Sequence, residues 1–176
     1  MTFTTEHPLL KYATVMGYYY IRKWTKRCMQ ETMYAANIPN DICKKIDRIK
    51  NSAPIQECVY RVSKSGNIDE QTFENTFAEV LKGTTSKNKD FDDVGTYSTS
   101  FYLSPDPCNR WKLFLAEKFR KRYPSPCVIK WGIDASYGKF QRTIERSNAG
   151  DPLHIDMWIY EDKIEDLVGE FEIIEE

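Results

Sequence analysis

Glu57-Cys58-Val59-Tyr60-Arg61-Val62-Ser63 is the stretch at which the chain changes its repeat. Cys58, Tyr60 and Val62 alternate with Val59, Arg61 and Ser63, the two-residue period that puts successive side chains on opposite faces of a strand. Before this point apolar residues recur at helical spacing. After it, strand-like and helical stretches interleave without the regular alternation of a doubly wound sheet. The division predicts an α+β fold, with an N-terminal helical arm over residues 1–54 packed on a small mixed or antiparallel sheet in an α+β core over residues 55–176, the whole forming one unit.

Upstream, Leu10, Ala13, Val15, Tyr18, Ile21, Trp24, Cys28 and Met33 predict one helix from Pro8 to about Ala36, or two broken near Gly17. Ile42, Ile46 and Ile49 recur at i, i+4 and i+7 and predict a second helix after Pro39 and Asn40. Downstream, Asp69 is a helix cap ahead of an apolar face made by Phe73, Phe77, Val80 and Leu81, which stops at Gly83. Residues 84–94 are polar and aperiodic, so they read as a loop. Thr96 to Leu103 predicts a strand, and Ser104-Pro105 a capped helix start whose core face is Trp111, Phe114, Leu115 and Phe119. Further strands are expected at Cys127–Ile133, at Leu153–Tyr160 and at Val168–Ile174, with a polar excursion between Gly138 and Gly150.

A chain of 176 residues is long enough to bury roughly two-thirds of the surface its unfolded form exposes, so it needs no covalent staples. The five cysteines are scattered and form no C-x-x-C pair, which argues against a disulfide framework or a thiolate zinc site. Only two histidines are present, so a histidine metal cage is not expected either. The net charge of −1 supplies no global field toward nucleic acid or an anionic membrane. No apolar run approaches a membrane span and no signal-peptide layout opens the chain, so a cytoplasmic protein without a membrane partner is expected. The glycine-rich phosphate loops, the nucleophile elbow, the zincin motif and the EF-hand loop are all absent.

What remains is a spaced series. Arg61 lies in the first strand, Tyr97-Ser98-Thr99-Ser100 in a later one, and His154-Ile155-Asp156 in a late one. The order resembles the core of the ADP-ribosyltransferase fold over roughly residues 57–174. The resemblance implies NAD as cofactor, with Arg61 gripping the pyrophosphate in a bidentate fork and Ser98 orienting the ribose. Tyr97, Phe101 or Tyr102 would supply a stacking surface for nicotinamide, with Ser100 beside them. Asp156, with His154, would stand where the family carries Glu-x-Glu, to steady the oxocarbenium-like transition state. The shorter aspartate sits about 1.5 Å further back, and a misplacement of that order costs ~10²-fold in rate. The resemblance therefore implies transferase activity that is weakened, altered or lost, on an unknown protein or nucleic-acid acceptor. Glu170-Phe171-Glu172 does spell the motif, one element too late.

The same residues also have purely structural readings. Arg61 is a strand charge paired with a carboxylate, and His154 and Asp156 are a satisfied pair on one strand face. A second functional reading is a non-enzymatic binding module. Arg22, Lys23, Lys26 and Arg27 surround Trp24 in the first helix, and Arg120-Lys121-Arg122 closes a later one, a basic and aromatic pattern suited to nucleic acid or protein. Tyr18, Tyr19 and Tyr20 suggest a homodimer through the N-terminal helices.

Overall fold

The computed structural model describes Tyr34 and residues 38–50, 58–85, 88–146 and 150–174. The helix expected from Pro8, the basic cluster around Trp24 and Tyr18, Tyr19 and Tyr20, on which the homodimer expectation rests, lie outside these residues. Tyr34 is the exception within that helical pattern: it forms an isolated antiparallel bridge to Tyr160, and its hydroxyl donates to Asp47 Oδ1 at 2.6 Å.

Six strands form one sheet: β1 (Cys58–Ser63), β2 (Thr99–Tyr102), β3 (Cys127–Gly132), β4 (Gly138–Arg142), β5 (His154–Ile159) and β6 (Glu172–Ile173). Their order is β4-β5-β2-β1-β3-β6, and every neighbouring pair is antiparallel. The α+β expectation holds, and of the two sheet types expected the antiparallel one is found. The α-helices are α1 (Asn40–Asp47), α2 (Thr76–Leu81), α3 (Pro105–Lys118), α4 (Thr143–Arg146) and α5 (Ile164–Glu170).

Strand alternation divides the core. Val59, Phe101, Ile129, Trp131, Phe140, Ile155, Met157 and Ile159 face one way, against Phe73, Leu167 of α5 and Phe171. On the other side Val62 and Val128 pack with Cys108 and Leu115 of α3. A third cluster joins Ile42 and Ile46 of α1 to Tyr34, Tyr97 and Trp158. Helix α1 thus enters the core through two isoleucines that are fully enclosed, in the cluster that also holds Tyr97 and Trp158.

Several boundaries differ from those expected. The helix predicted after Asp69 divides into a 3-10 turn at Glu70–Phe73 and α2, because Asn75 interrupts it and caps α2 by accepting from the Ala78 N–H. Asp69 does cap, in a reciprocal box with Thr72. The polar excursion after Gly138 contains β4, whose buried Phe140 is the one large apolar residue in a run otherwise polar. Val168–Ile174 is mostly helical, and only two residues of it pair with β3. Finally, α3 does not bury the face expected: Leu115 is enclosed with Cys108, whereas Trp111, Phe114 and Phe119 are each more than 40% exposed.

The strands β1 and β2 share a single register pair, Tyr60 with Tyr102. Beyond it the β2-side carbonyls find other donors: Ser98 O accepts from the Thr76 N–H at 3.0 Å, and Ser100 O from Arg61 Nη1 at 2.7 Å. The Thr99 hydroxyl donates to Phe73 O at 2.8 Å. Residues 72–76 and the Arg61 guanidinium therefore occupy the line along which the two strands would otherwise pair, satisfying groups that cannot be left bare in a core. Among the described residues no helix is long and apolar enough to cross a membrane.

Candidate functional site

Two polar centres flank this split. The first is built on Arg61. Its Nε donates to Thr72 O at 2.5 Å, Nη1 to Ser100 O and Nη2 to Glu74 O at 3.4 Å, while Glu79 lies 3.8 Å from Nη2. Three of the five N–H groups that a guanidinium carries are thus turned toward main-chain carbonyls, which leaves two. Burial pulls the Arg61 pKa down, and the charge of Glu79 works in the opposite direction. The side chain lines a cleft of about 330 Å³, together with Lys64, Lys82 and Arg122 as further cations and Glu74 and Glu79 as counter-charges. Lys64 pairs with Glu79 at 2.6 Å, and Lys82 pairs with Glu74.

The second centre is built on Asp156, the one charged residue of a strand whose other members from Ile155 to Ile159 are apolar and buried. Its Oδ1 accepts from the Ser98 hydroxyl at 2.6 Å. Its Oδ2 accepts from Thr143 Oγ1 at 3.0 Å and from Arg146 Nη2 at 2.7 Å. Arg146 also reaches Asp93 Oδ2 through Nη1 at 2.6 Å. Burial works against the Arg146 charge, but the hydrogen bond and charge of Asp156, with those of Asp93, outweigh it and hold the pKa above its ordinary value. A Cβ on Gly95 would stand 2.1 Å from Arg146 Nη2, so the absence of a side chain there makes room for the guanidinium.

His154 joins this centre through Thr143. The threonine hydroxyl touches both His154 Nδ1 and Asp156 Oδ2. It has one proton, and the carboxylate accepts it, so the consistent assignment has His154 Nδ1–H donating to Thr143 and Nε2 carrying the lone pair. Burial lowers the His154 pKa, and the charge of Asp156 opposes the shift. The ring meets Tyr102 edge-on at 5.1 Å between centroids. A neutral imidazole oriented through a hydroxyl by a buried carboxylate is an arrangement able to accept a proton at Nε2.

The structure therefore brings Ser98, His154 and Asp156 together and sets Tyr102 beside them. Ser100 contributes its carbonyl to Arg61. Tyr97 is placed elsewhere: it is enclosed against Phe77 at 5.0 Å in the α1 cluster, with its hydroxyl on Phe91 O. Phe101 lies in the core facing the Arg61 guanidinium at 5.8 Å. Neither ring presents a surface to a ligand: Tyr97, on a 3-10 turn before β2, and Phe101, on β2, are both buried. Glu172 is on β6 at the sheet edge, well removed in strand order from β5.

Thr143, Arg146 and Asp93 were not singled out from the sequence. The signal was faint: they fall in polar stretches whose partners are distant in the chain, and only Gly95, placed two residues after Asp93, hints at a close approach. Among the described residues no group of three His, Cys, Asp or Glu side chains is placed to hold a metal ion. No family model, curated protein or solved structure matches the chain.

Proposed function

We propose that this chain is an NAD-binding relative of the ADP-ribosyltransferases with little or no transferase turnover, its dinucleotide lying in the cleft that Arg61 lines. One observation carries the reading. Arg61, Ser98 and Asp156 fall on β1, at the entry to β2, and on β5, which are successive neighbours in the sheet, and Ser98 is bonded to Asp156. In this reading the two remaining N–H groups of Arg61, with Lys64, Lys82 and Arg122 along the cleft, meet the pyrophosphate charge.

The expectation of weak turnover follows from the carboxylate. Both oxygens of Asp156 are already engaged by hydroxyls and a guanidinium, and the residue is 2% exposed. An anion neutralised by Arg146 offers little stabilisation to a positive charge developing on a ribose. Cleavage of NAD would require Arg146 to withdraw.

The test is thermal unfolding with millimolar NAD. Ligand at about 100 times its dissociation constant stabilises the folded state by about 2.7 kcal/mol, which for a domain of this size raises the midpoint by roughly 5–10 °C. Lys64→Gln combined with Arg61→Lys should remove most of that shift while the protein still unfolds cooperatively. Nicotinamide release measured in parallel should stay near background. An unshifted midpoint in the unaltered protein at 10 mM NAD would end this reading.

A further inference from the structure

Helix α3 carries a surface that neither the core nor the Arg61 cleft uses. Trp111 and Phe114, one helical turn apart, stack with their ring planes 18° from parallel and centroids 5.1 Å apart, and Phe119 meets Phe114 edge-on at 5.7 Å. Three aromatic rings that contact one another on the outside of a helix form a continuous apolar strip, not the scattered exposure ordinary to protein surfaces. Beside them a shallow cleft of about 390 Å³ opens between Tyr102, Arg110, Trp111 and Phe114.

The charge along this segment is one-sided, with Asp151 the one carboxylate that lines the adjoining cleft. Residues 110–122 hold six basic side chains against the single carboxylate of Glu117, a local charge of +5 in a chain whose net charge is −1. Arg110, Lys118, Arg120 and Lys121 are exposed. Helical spacing puts Trp111, Phe114 and Lys118 on one stripe, with Arg110 flanking it. Flat π-faces at intervals along a cationic edge are the chemistry that takes bases by stacking and the sugar-phosphate backbone by charge. An acidic protein partner would use the cations but has no need of stacked, outward-facing rings. A duplex hides its base faces, so it would use the cations alone.

We propose that the outer face of α3 binds single-stranded nucleic acid, with bases stacked on Trp111 and Phe114 and phosphates met by Arg110, Lys118 and Lys121. This assignment is independent of the NAD reading, because none of the residues given to bases or phosphates lines the Arg61 cleft.

The experiment is fluorescence anisotropy of a labelled 12-nucleotide oligo-dT and oligo-U titrated with the full chain, at 50 and 200 mM salt. Binding is expected to weaken with salt with a logarithmic slope of roughly −2, the value for three phosphate contacts on a single strand. Trp111→Ala should weaken binding by roughly 5- to 150-fold, the range for loss of one stacked base. Lys118→Glu with Lys121→Glu should weaken it and flatten the slope. All these side chains are exposed, so the variants are expected to keep the unaltered unfolding midpoint, which reports an intact core. No binding at 50 mM salt overturns the proposal. So does binding that survives Trp111→Ala undiminished, or binding for which polyglutamate competes as well as unlabelled oligonucleotide, since either outcome reduces the face to a polyanion patch.

Discussion

The Arg146–Asp156 pair gives the sharpest test of how the site is held. Replacing Arg146 by Met takes away the guanidinium bond to Asp156 Oδ2 and the pair with Asp93, and leaves a carboxylate that is 3% exposed facing only two hydroxyls. Breaking a buried pair from one side costs about 3–5 kcal/mol, because the abandoned charge has no water to return to. For a chain of this size that lowers the midpoint by roughly 6–20 °C. Asp156→Asn should cost less, since Arg146 keeps Asp93, which is partly open to solvent. The double variant Arg146→Met/Asp156→Asn removes both charges and should be more stable than Arg146→Met alone, with a coupling of about 2 kcal/mol or more. Urea denaturation followed by far-UV circular dichroism measures all four proteins, and an unchanged m-value keeps the comparison valid. If the two single costs add to within about 0.5 kcal/mol in the double variant, the pair is not coupled. The account of Asp156 as an anion neutralised by Arg146 would then be wrong.

Two further outcomes are expected. The depressed His154 pKa means that the unfolded chain binds a proton more readily, so folding stability falls as pH drops below the unfolded value of about 6.5 and stops falling below the native one. The stability difference between the unaltered protein and His154→Gln should accordingly shrink between pH 7.5 and 5.5 in urea titrations, and a difference independent of pH would refute the buried neutral ring. Gly66 and Gly83 both have positive φ, +83° and +66°, but an added Cβ would stand 2.2 Å from Ser125 O at Gly66 and meet nothing at Gly83. Gly83→Ala should cost about 1–2 kcal/mol from backbone conformation alone, and Gly66→Ala measurably more; equal costs in denaturation would show that the contact is relieved freely.

The period change at Cys58 was legible because a strand with one face against a core must alternate, and Val59 and Val62 do meet opposite layers. β5 was legible for the same reason, and β3 as a short apolar, β-rich run. β4 was not, because Gly138, Lys139, Gln141 and Arg142 carry no apolar repeat, and the strand is fixed by pairing with β5. The aromatic face of α3 was misread because Trp111, Phe114 and Phe119 have the spacing of a core stripe, and spacing cannot say which of two apolar stripes turns inward. Here the small Cys108 and Leu115 face the sheet, allowing close approach, and the larger rings are left outside. Ser98 and Asp156 were each picked out, but their closure by Thr143 and Arg146 depends on a four-residue helix that no periodicity announces.

The burial of the Asp156 cluster also bears on why it exists. Well-packed apolar residues in place of a buried ion pair are often as stable or more so, which makes stability a weak reason for three charged groups and two hydroxyls at one point of the sheet. Their position is the more informative fact. Asp93 lies in the segment that enters β2, Thr143 and Arg146 follow β4, and Asp156 is near the start of β5, so one guanidinium ties together three segments distant in the chain. A tie of this kind fixes the register of the loops relative to the strands, and it does so beside His154, whose ring is oriented by Thr143 of the same centre. The geometry thus gives Arg146 a positioning role for the whole centre, since it bonds Asp93 and Asp156 at once and completes the enclosure of the Asp156 carboxylate.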